Sequence, residues 1–253
     1  MHFGRIPVIM KSHGWERYLL LRLVQSIDLV VVMDKASLYA LQTAGHNNVC
    51  FLPNPLSKEV NDIILSQGDL QREPRKIVFA GHVLETKGVF ELVKACSNIP
   101  NIRVIIIGKI TSEEILGQIM KLGGDRADQW LCLTGNKPFE EVIREMKTCA
   151  IFALPSYSEG FPNVILESMA CGCAIVATPV GAIAEMLDIK GKYPCGVCVP
   201  VKNVDALHNA ILELLENQDK ALKMGENARL RVNEMYIMPK VWRQLVNIWK
   251  NVS

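Results

Sequence analysis

The chain is 253 residues long. It has no apolar run approaching the roughly 18 residues that a membrane-spanning helix needs, so a spanning helix is not expected. Its N-terminus also lacks the uninterrupted apolar core of a signal peptide. A cytoplasmic protein is expected, with the inner face of the membrane as the alternative setting. Charge of one sign is scarce too: 28 Lys and Arg stand against 26 Asp and Glu, a formal net charge of +2. No Lys/Arg-dense stretch is interleaved with aromatics, and both observations argue against a nucleic-acid partner. Internal repeats and low-complexity tracts are missing.

What is present describes a globular protein. The hydrophobic fraction is 49% and the charged fraction 21%. The length allows one large domain or two modest ones, and either can bury a sizeable core. Of the eight cysteines, Cys171-Gly-Cys173 and Cys195-Gly-Val-Cys198 offer four thiolates on paper. The first pair has one intervening residue and leads straight into the strand-like Ala174-Ile-Val-Ala177, which is poor spacing for zinc. Buried thiols in a reducing compartment are the expected reading, with no metal.

From residue 76 onward, short apolar runs alternate with amphipathic stretches. The runs are Ile77–Ala80, Val104–Ile107, Trp130–Leu133, Ile151–Leu154, Ala174–Ala177 and Gly196–Val199. Helical patterns fill the gaps at Val89–Cys96, Ser112–Leu122, Phe139–Met146, Asn163–Ala170 and Ala182–Leu187. Continuous apolar strands separated by helices predict a parallel sheet buried on both faces, in a doubly wound α/β domain over residues 71–235. In that architecture ligands sit at the carboxyl ends of the strands.

Residues 1–70 read as a smaller α/β piece. Ile6–Met10, Leu29–Met33 and Val49–Leu52 are predicted strands, and Trp15–Gln25 and Ala36–Ala44 predicted helices. Three strands make a thin independent sheet. The polar stretch from the Pro53-Asn54-Pro55 turn to Pro74 reads as the linker, with a short helix at Val60–Leu65 inside it. Residues 236–253 are expected to form a helix that packs back on the N-terminal part. The helical tail is predicted to break near Pro239. Val241, Leu245 and Ile248 share one face of it, with Trp242 and Trp249 beside them in a packing role.

The most informative segment is Ser156-Tyr-Ser-Glu-Gly-Phe-Pro-Asn-Val-Ile-Leu-Glu167. A buried strand ends, the chain turns through Gly160-Phe161-Pro162-Asn163, and a helix begins. The first amides of a helix have no intrahelical partner and lie at its positive end, which makes an anion site. A carboxylate at that mouth, Glu159, and another inside the helix, Glu167, suit a ligand carrying both phosphate and hydroxyls. Nucleotide sugars have that chemistry. Gly81-His-Val-Leu-Glu-Thr-Lys-Gly88 follows the first strand of the larger domain. Its glycines permit close backbone approach, and Lys87 can meet a diphosphate as a point charge. Alone it also fits a solvated turn, and Glu159 and Glu167 alone also fit ordinary surface carboxylates.

These segments together, with Leu154-Pro-Ser, Glu167-Ser-Met-Ala-Cys-Gly172 and Thr178-Pro-Val-Gly181…Glu185, resemble the donor half of the retaining glycosyltransferases of family 4. That family has the GT-B architecture of two facing Rossmann-like domains. The resemblance implies one complete doubly wound domain plus a partial Rossmann-like N-terminal domain here. It implies transfer of a sugar from a UDP- or GDP-sugar to a hydroxyl of a saccharide or lipid-linked acceptor, with no cofactor beyond the donor itself. Glu159 would contact hydroxyls of the donor sugar and Glu167 those of the ribose. Each carboxylate accepts bonds worth roughly 1.5–3 kcal/mol when charge-assisted. Lys87 and the amides of Phe161, Pro162-linked Asn163 and Val164 would hold the diphosphate. Gly81 and His82 would lie against it, and Gly135-Asn136-Lys137 would border the base. His13, in Val8-Ile-Met-Lys-Ser-His-Gly14, would face the phosphate and sugar.

Two departures qualify what is expected. Where the family has an arginine after the glycine matched by Gly81, this chain has His82, which predicts weaker diphosphate binding. Most of the acceptor-side domain is also expected to be missing, because Met1 lies a few residues before the strand leading to His13. A non-catalytic nucleotide-sugar-binding module, or a partner polypeptide supplying an N-terminal half, are the corresponding alternatives. Nucleotide-sugar 2-epimerases share the architecture, but the Glu159-Gly-Phe-Pro-Asn turn fits the transferases more closely. Arg17 and Arg22 among the leucines of 15–25 suggest a peripheral lipid contact.

Overall fold

The computed structural model describes Arg22 and residues 27–250. The strand expected at Ile6–Met10, the helix expected at Trp15–Gln25 apart from Arg22, and His13 lie outside the described residues.

The small lobe is built from β1 (Val30–Val32), α1 (Lys35–Thr43) and β2 (Val49–Phe51), with the two strands parallel and Val31 opposite Cys50. Asp34 caps α1, accepting from the Ser37 amide and hydroxyl at 2.7 Å each. Strand periodicity of two explains why Val30-Val-Val32 is apolar throughout. Val30 and Val32 pack with Val49 on Leu41 of α1, whereas Val31 points the other way, into a cluster with Leu52 and Val241.

Much of the stretch expected as a linker is helix α2 (Lys58–Ser66). Ser57 caps it, its Oγ accepting from the Val60 amide at 3.2 Å. Leu56 and Ile64 are buried in the core of the larger lobe, so the segment is docked rather than free. Its apolar residues Val60, Ile63 and Ile64 recur at helical spacing, and that period outweighs the polar composition.

The larger lobe contains β3 (Glu73–Ala80), a 3-10 turn (Glu85–Lys87), α3 (Val89–Cys96), β4 (Arg103–Ile107), α4 (Glu113–Gly123), α5 (Ala127–Trp130) and β5 (Leu131–Gly135). It continues with α6 (Phe139–Thr148), β6 (Cys149–Leu154), α7 (Asn163–Ala170), β7 (Ala174–Ala177), α8 (Ile183–Met186), β8 (Gly196–Cys198), α9 (Val204–Glu216) and α10 (Gln218–Met235). The six strands form one parallel sheet in the order β5-β4-β3-β6-β7-β8. Counted within the lobe, that order is 3-2-1-4-5-6, the doubly wound pattern. The winding direction reverses between β3 and β6, and a crevice opens there at the carboxyl ends. Ile77, Val78, Phe79, Ile151, Phe152 and Ala153 of these two strands are fully buried, as expected for a sheet covered on both faces.

Four local readings are corrected. β3 starts at Glu73, before the apolar run, because the register shift between Glu73 and Ile77 accommodates Pro74. Lys76 is tolerated in this buried strand by ion pairs at 2.8 Å to both Glu73 and Glu145. Trp130 closes the short α5 instead of opening β5. In the tail, the break falls at Tyr236-Ile237. Pro239 lies inside the first turn of α11 (Met238–Lys250), where its missing amide proton has no helical partner to lose. Val241, Leu245 and Ile248 do pack on β1 and β2. Trp242 and Trp249 do not share that burial, being 56% and 54% exposed.

Candidate functional site

Two loops frame the crevice. The loop after β3 runs through Gly81, His82 and Lys87 to Gly88. The loop after β6 runs from Pro155 through Glu159 to the start of α7. They are tied together by backbone, with the Tyr157 amide donating to Thr86 O at 2.8 Å. Gly88 makes the approach possible: its φ is +71°, and a Cβ there would stand 2.0 Å from Pro155 O. Lys87, which precedes it, reaches Glu159 Oε1 with its Nζ at 2.6 Å. Lys87 and Glu159 are therefore direct partners. A third loop, after β7, backs the Glu159 turn. Gly181, at φ +58°, packs so closely that a Cβ would lie 2.3 Å from Gly160 O, and the Ala182 amide donates to that oxygen at 2.8 Å.

Helix α7 opens at Asn163 after Pro162, and no side chain caps it. Asn163 Oδ1 accepts instead from Asn54 Nδ2 at 3.3 Å, so the turn after β2 touches this mouth. Phe161 is buried, with its ring edge-on to Tyr236 at 5.9 Å between centroids. Its side chain holds the loop in place, leaving the backbone for any ligand contact. Ser156 is fully buried and its hydroxyl has no hydrogen-bond partner among the described residues, while its carbonyl accepts from Thr178 Oγ1.

One turn into α7, Glu167 faces a cavity of about 280 Å³ at the carboxyl ends of β3, β4 and β5. Gly81, His82, Asn136 and Val164 line it with Glu167. Gly135, at the end of β5, immediately precedes Asn136. No described residue donates a hydrogen bond to the Glu167 carboxylate, and burial pushes its pKa up to about 7. A half-hidden carboxylate without a protein donor is costly unless a ligand supplies one. Lys137 lines the same cavity, its ammonium held by Glu145 at 3.0 Å and Glu141 at 3.3 Å. Those carboxylates raise its pKa, Glu145 most strongly.

The structure thus gathers Gly81, His82, Asn136, Val164 and Glu167 around one cavity. Lys87 and Glu159 pair on the adjoining loops, and Gly160 to Asn163 lead into the helix mouth. His13 lies outside the described residues. Sequence reasoning missed Gly108 and Lys109, which follow β4 and also line the cavity. The available signal was the glycine closing the Val104–Ile107 run, a third strand end at the same sheet edge. A larger cleft of about 670 Å³ opens near Asn101, Asp125 and Trp130. It borders the amino ends of β4 and β5, on the wrong side of a doubly wound sheet for a ligand crevice. Among the described residues, no three His, Cys, Asp or Glu side chains cluster in a way that would hold a metal ion.

A reversal of strand order, with a bare helix mouth and a carboxylate at its crevice that no described residue answers, defines an α/β protein of the doubly wound class with a ligand crevice at the carboxyl ends of its strands. The family model for glycosyl transferases group 1 matches residues 60–231, and the chain belongs to that family. An uncharacterized glycosyltransferase of Methanocaldococcus jannaschii is 29% identical over 227 residues, 89% of this chain and 60% of that protein. The Campylobacter jejuni N,N'-diacetylbacillosaminyl-diphospho-undecaprenol alpha-1,3-N-acetylgalactosaminyltransferase is 27% identical, over 84% of this chain and 55% of its own length. Among solved structures, HepE of Anabaena in complex with UDP superposes with a TM-score of 0.74 at 20% identity, covering 88% of this chain and 64% of that one. The chain therefore spans little more than half the length of the curated relatives named here. The GT-B-like α/β fold agrees with the fold class expected from sequence.

Proposed function

We propose that the chain binds a nucleoside-diphosphate sugar and transfers its sugar, with retention of configuration, to a hydroxyl of a saccharide or lipid-linked acceptor in glycan synthesis. The observation that carries this reading is Glu167, a carboxylate in the crevice with no donor among the described residues. A ribose offers two adjacent hydroxyls, and one carboxylate can accept from both. The complex of HepE with UDP and the sugar-transferring names of the relatives support the donor class.

In this reading the base lies by Gly135, Asn136 and Lys137, and the ribose by Glu167. The diphosphate meets Lys87 and the amides at the start of α7, beside Gly81 and His82. Glu159 takes hydroxyls of the sugar, and His13 keeps the sugar and phosphate role that the family resemblance gives it. As the bond from anomeric carbon to phosphate oxygen breaks, negative charge grows on the departing nucleoside diphosphate. The helix amides oppose that charge without needing to reorganise, and Lys87 adds its ammonium by sharing it between Glu159 and the phosphate. The leaving phosphate oxygen takes the proton of the attacking acceptor hydroxyl on the same face, so no side chain need act as nucleophile. The lipid-diphosphate name of the Campylobacter relative supports an acceptor of that class.

Titration calorimetry with UDP and GDP tests the donor site. Binding of one of them is expected, and Glu167→Ala should weaken it by roughly tenfold or more, the loss of one or two charge-assisted bonds. Failure of both to bind, or an unchanged affinity in Glu167→Ala, overturns the ribose assignment. A transfer assay with the sugar nucleotide that binds then separates an enzyme from a donor-binding module.

A further inference from the structure

We propose that Glu185 is a positioning residue for the transfer: held by Lys35 of the small lobe, it fixes the turn that presents Glu159 to the donor sugar. Glu185 stands on the short α8, and its carboxylate reaches across to α1. Oε2 accepts from the Lys35 amide and Oε1 pairs with the Lys35 ammonium, each at 3.1 Å. The Lys35 amide is one of the first amides of α1, which have no intrahelical partner. Glu185 therefore answers a side-chain charge and the positive end of a helix together. Asp34 takes a different orphan of the same helix start, the Ser37 amide. Lys35 Nζ also lies 5.7 Å from the centroid of the Phe51 ring, which keeps the ammonium over β2.

The backbone of α8 is held from the other side. Arg231 of α10 donates through Nη2 to Glu185 O and through Nε to Met186 O, both at 2.8 Å. Its Nη1 pairs with Asp188 at 3.3 Å. A helix of four residues has little stability of its own, so these bonds and the grip on α1 decide where it lies. The Glu159 turn is in the same position, since it belongs to no helix or strand. Its backbone is tied to Thr86 O through the Tyr157 amide and to the start of α8 through Gly160 O and the Ala182 amide. A continuous set of contacts thus runs from Lys35 through Glu185 and Ala182 to Gly160 and Glu159. The Lys35 and Glu185 side chains are 48% and 22% exposed, and an ion pair so open to water adds little to stability. Its effect is expected in the geometry of the turn.

The loss of this link should fall on the sugar and spare the nucleotide. That division rests on the donor reading, in which Glu167 and the α7 amides hold the nucleoside diphosphate and Glu159 takes the sugar hydroxyls. Helix α7 is held at its far end by Arg72 and Arg229, which both donate to Cys171 O. The small lobe meets its mouth separately, through Asn54 and Asn163. Slackening at α8 therefore reaches Glu159 before it reaches the nucleotide. A residue that only bolted the two lobes together would instead change stability, and affect both ligands alike.

Calorimetry with UDP-glucose against UDP, and with GDP-mannose against GDP, reads the division. Glu185→Ala should weaken the sugar nucleotide by about five- to tenfold and the bare diphosphate by less than about twofold. Glu185→Gln, which can still accept from the Lys35 amide, should lose less. Lys35→Ala should act in the same direction, and adding it to Glu185→Ala should change little further, because both remove one link. Hydrogen exchange tests the link without any nucleotide. Amides of residues 157–163 should exchange about tenfold faster in Glu185→Ala, with those of Ile151–Leu154 unchanged. The unfolding temperature of each variant reports its fold. Unaltered exchange at 157–163 overturns the proposal. Equal losses for UDP and UDP-glucose, or additive effects of the two alanines, overturn it as well. A parent that binds neither diphosphate ends the donor reading instead, and the exchange result still decides whether Glu185 fixes the turn.

Discussion

The two ends of helix α7 receive opposite treatment. At its C-terminal end the orphan carbonyls are thoroughly answered. Arg72 donates through Nη2 to Cys171 O and Gly172 O, both at 2.7 Å, and through Nη1 to Cys149 O at 2.6 Å. Arg229 adds a bond to Cys171 O at 3.2 Å. Lys147 does the same for α2 nearby, donating to Ile64 O at 2.8 Å. At the other end, among the described residues, α7 starts without a side-chain cap, Ser156 Oγ has no partner, and Glu167 has no donor. Every helix leaves unpaired groups at both ends. Here the chain spends cationic side chains on one end and leaves the other to solvent or ligand. At this crevice the open helix mouth, Ser156 Oγ and the Glu167 carboxylate lie together, whereas a larger cleft lies at the opposite edge of the sheet.

The contrast can be broken from the satisfied end first. Arg72→Ala strips donors from several partly buried carbonyls at once, and urea unfolding should show a loss of about 3–5 kcal/mol. Under conditions where the variant remains folded, its affinity for UDP or GDP should change little. A large drop in affinity with intact stability would mean that the two ends are not independent.

At the open end, removing charge should stabilise the fold while harming binding. Burial raises the Glu167 pKa from 4.5 to about 7. Below about 4.5 the carboxyl is protonated in folded and unfolded chains alike, and its stabilising contribution is complete. Between that value and about 7 the unfolded chain ionises more readily, so the contribution is lost as pH rises. Glu167→Gln should therefore be more stable than the parent at pH 8, on the order of 1–2 kcal/mol after allowing for solvent at the carboxylate, with the gap closing near pH 4. Nucleotide binding has the opposite sign. Hydroxyl donors favour the ionised form, so affinity should rise with pH through about 7 in the parent and more weakly in Glu167→Gln. Parallel pH profiles in the two proteins would remove Glu167 from the nucleotide contact.

Much of this contrast was legible in the sequence because it rests on local patterns. Continuous apolar runs such as Val104–Ile107 and Ile151–Leu154 specified parallel strands, and the Ser156–Glu167 segment specified a strand, a turn and a helix. Tertiary pairing was not legible. Arg72 sat in what read as a linker, since nothing in its neighbours indicates that carbonyls about 75 to 100 positions away would converge on it. Lys87 and Glu159 were both singled out, yet their ion pair depends on the close approach of Gly88 to Pro155, which only the fold displays. Lys109 was missed for the same reason: it becomes a cavity residue only when β4 takes its place beside β3. The burial expected for Trp242 and Trp249 failed because helical periodicity says which residues share a face, not how wide a surface lies beneath it.

The smallest expected effect tests the open end by adding a partner instead of removing one. His82 is exposed and lines the cavity with Glu167, Lys109 and Lys137. Arginine at this position carries a permanent charge and a planar fork that matches two phosphate oxygens, neither of which an imidazole offers. His82→Arg should tighten UDP or GDP binding by about three- to tenfold, less than one full charge-assisted bond because the new side chain loses rotamer freedom on binding. Affinity for the corresponding nucleoside, which lacks the phosphates, should not change, and the salt dependence of diphosphate binding should steepen. An equal gain for the nucleoside would place residue 82 against the base or ribose. A loss for the diphosphate would mean that the histidine makes a contact arginine cannot reproduce, so that this end of the crevice is already more specific than its unpaired groups imply.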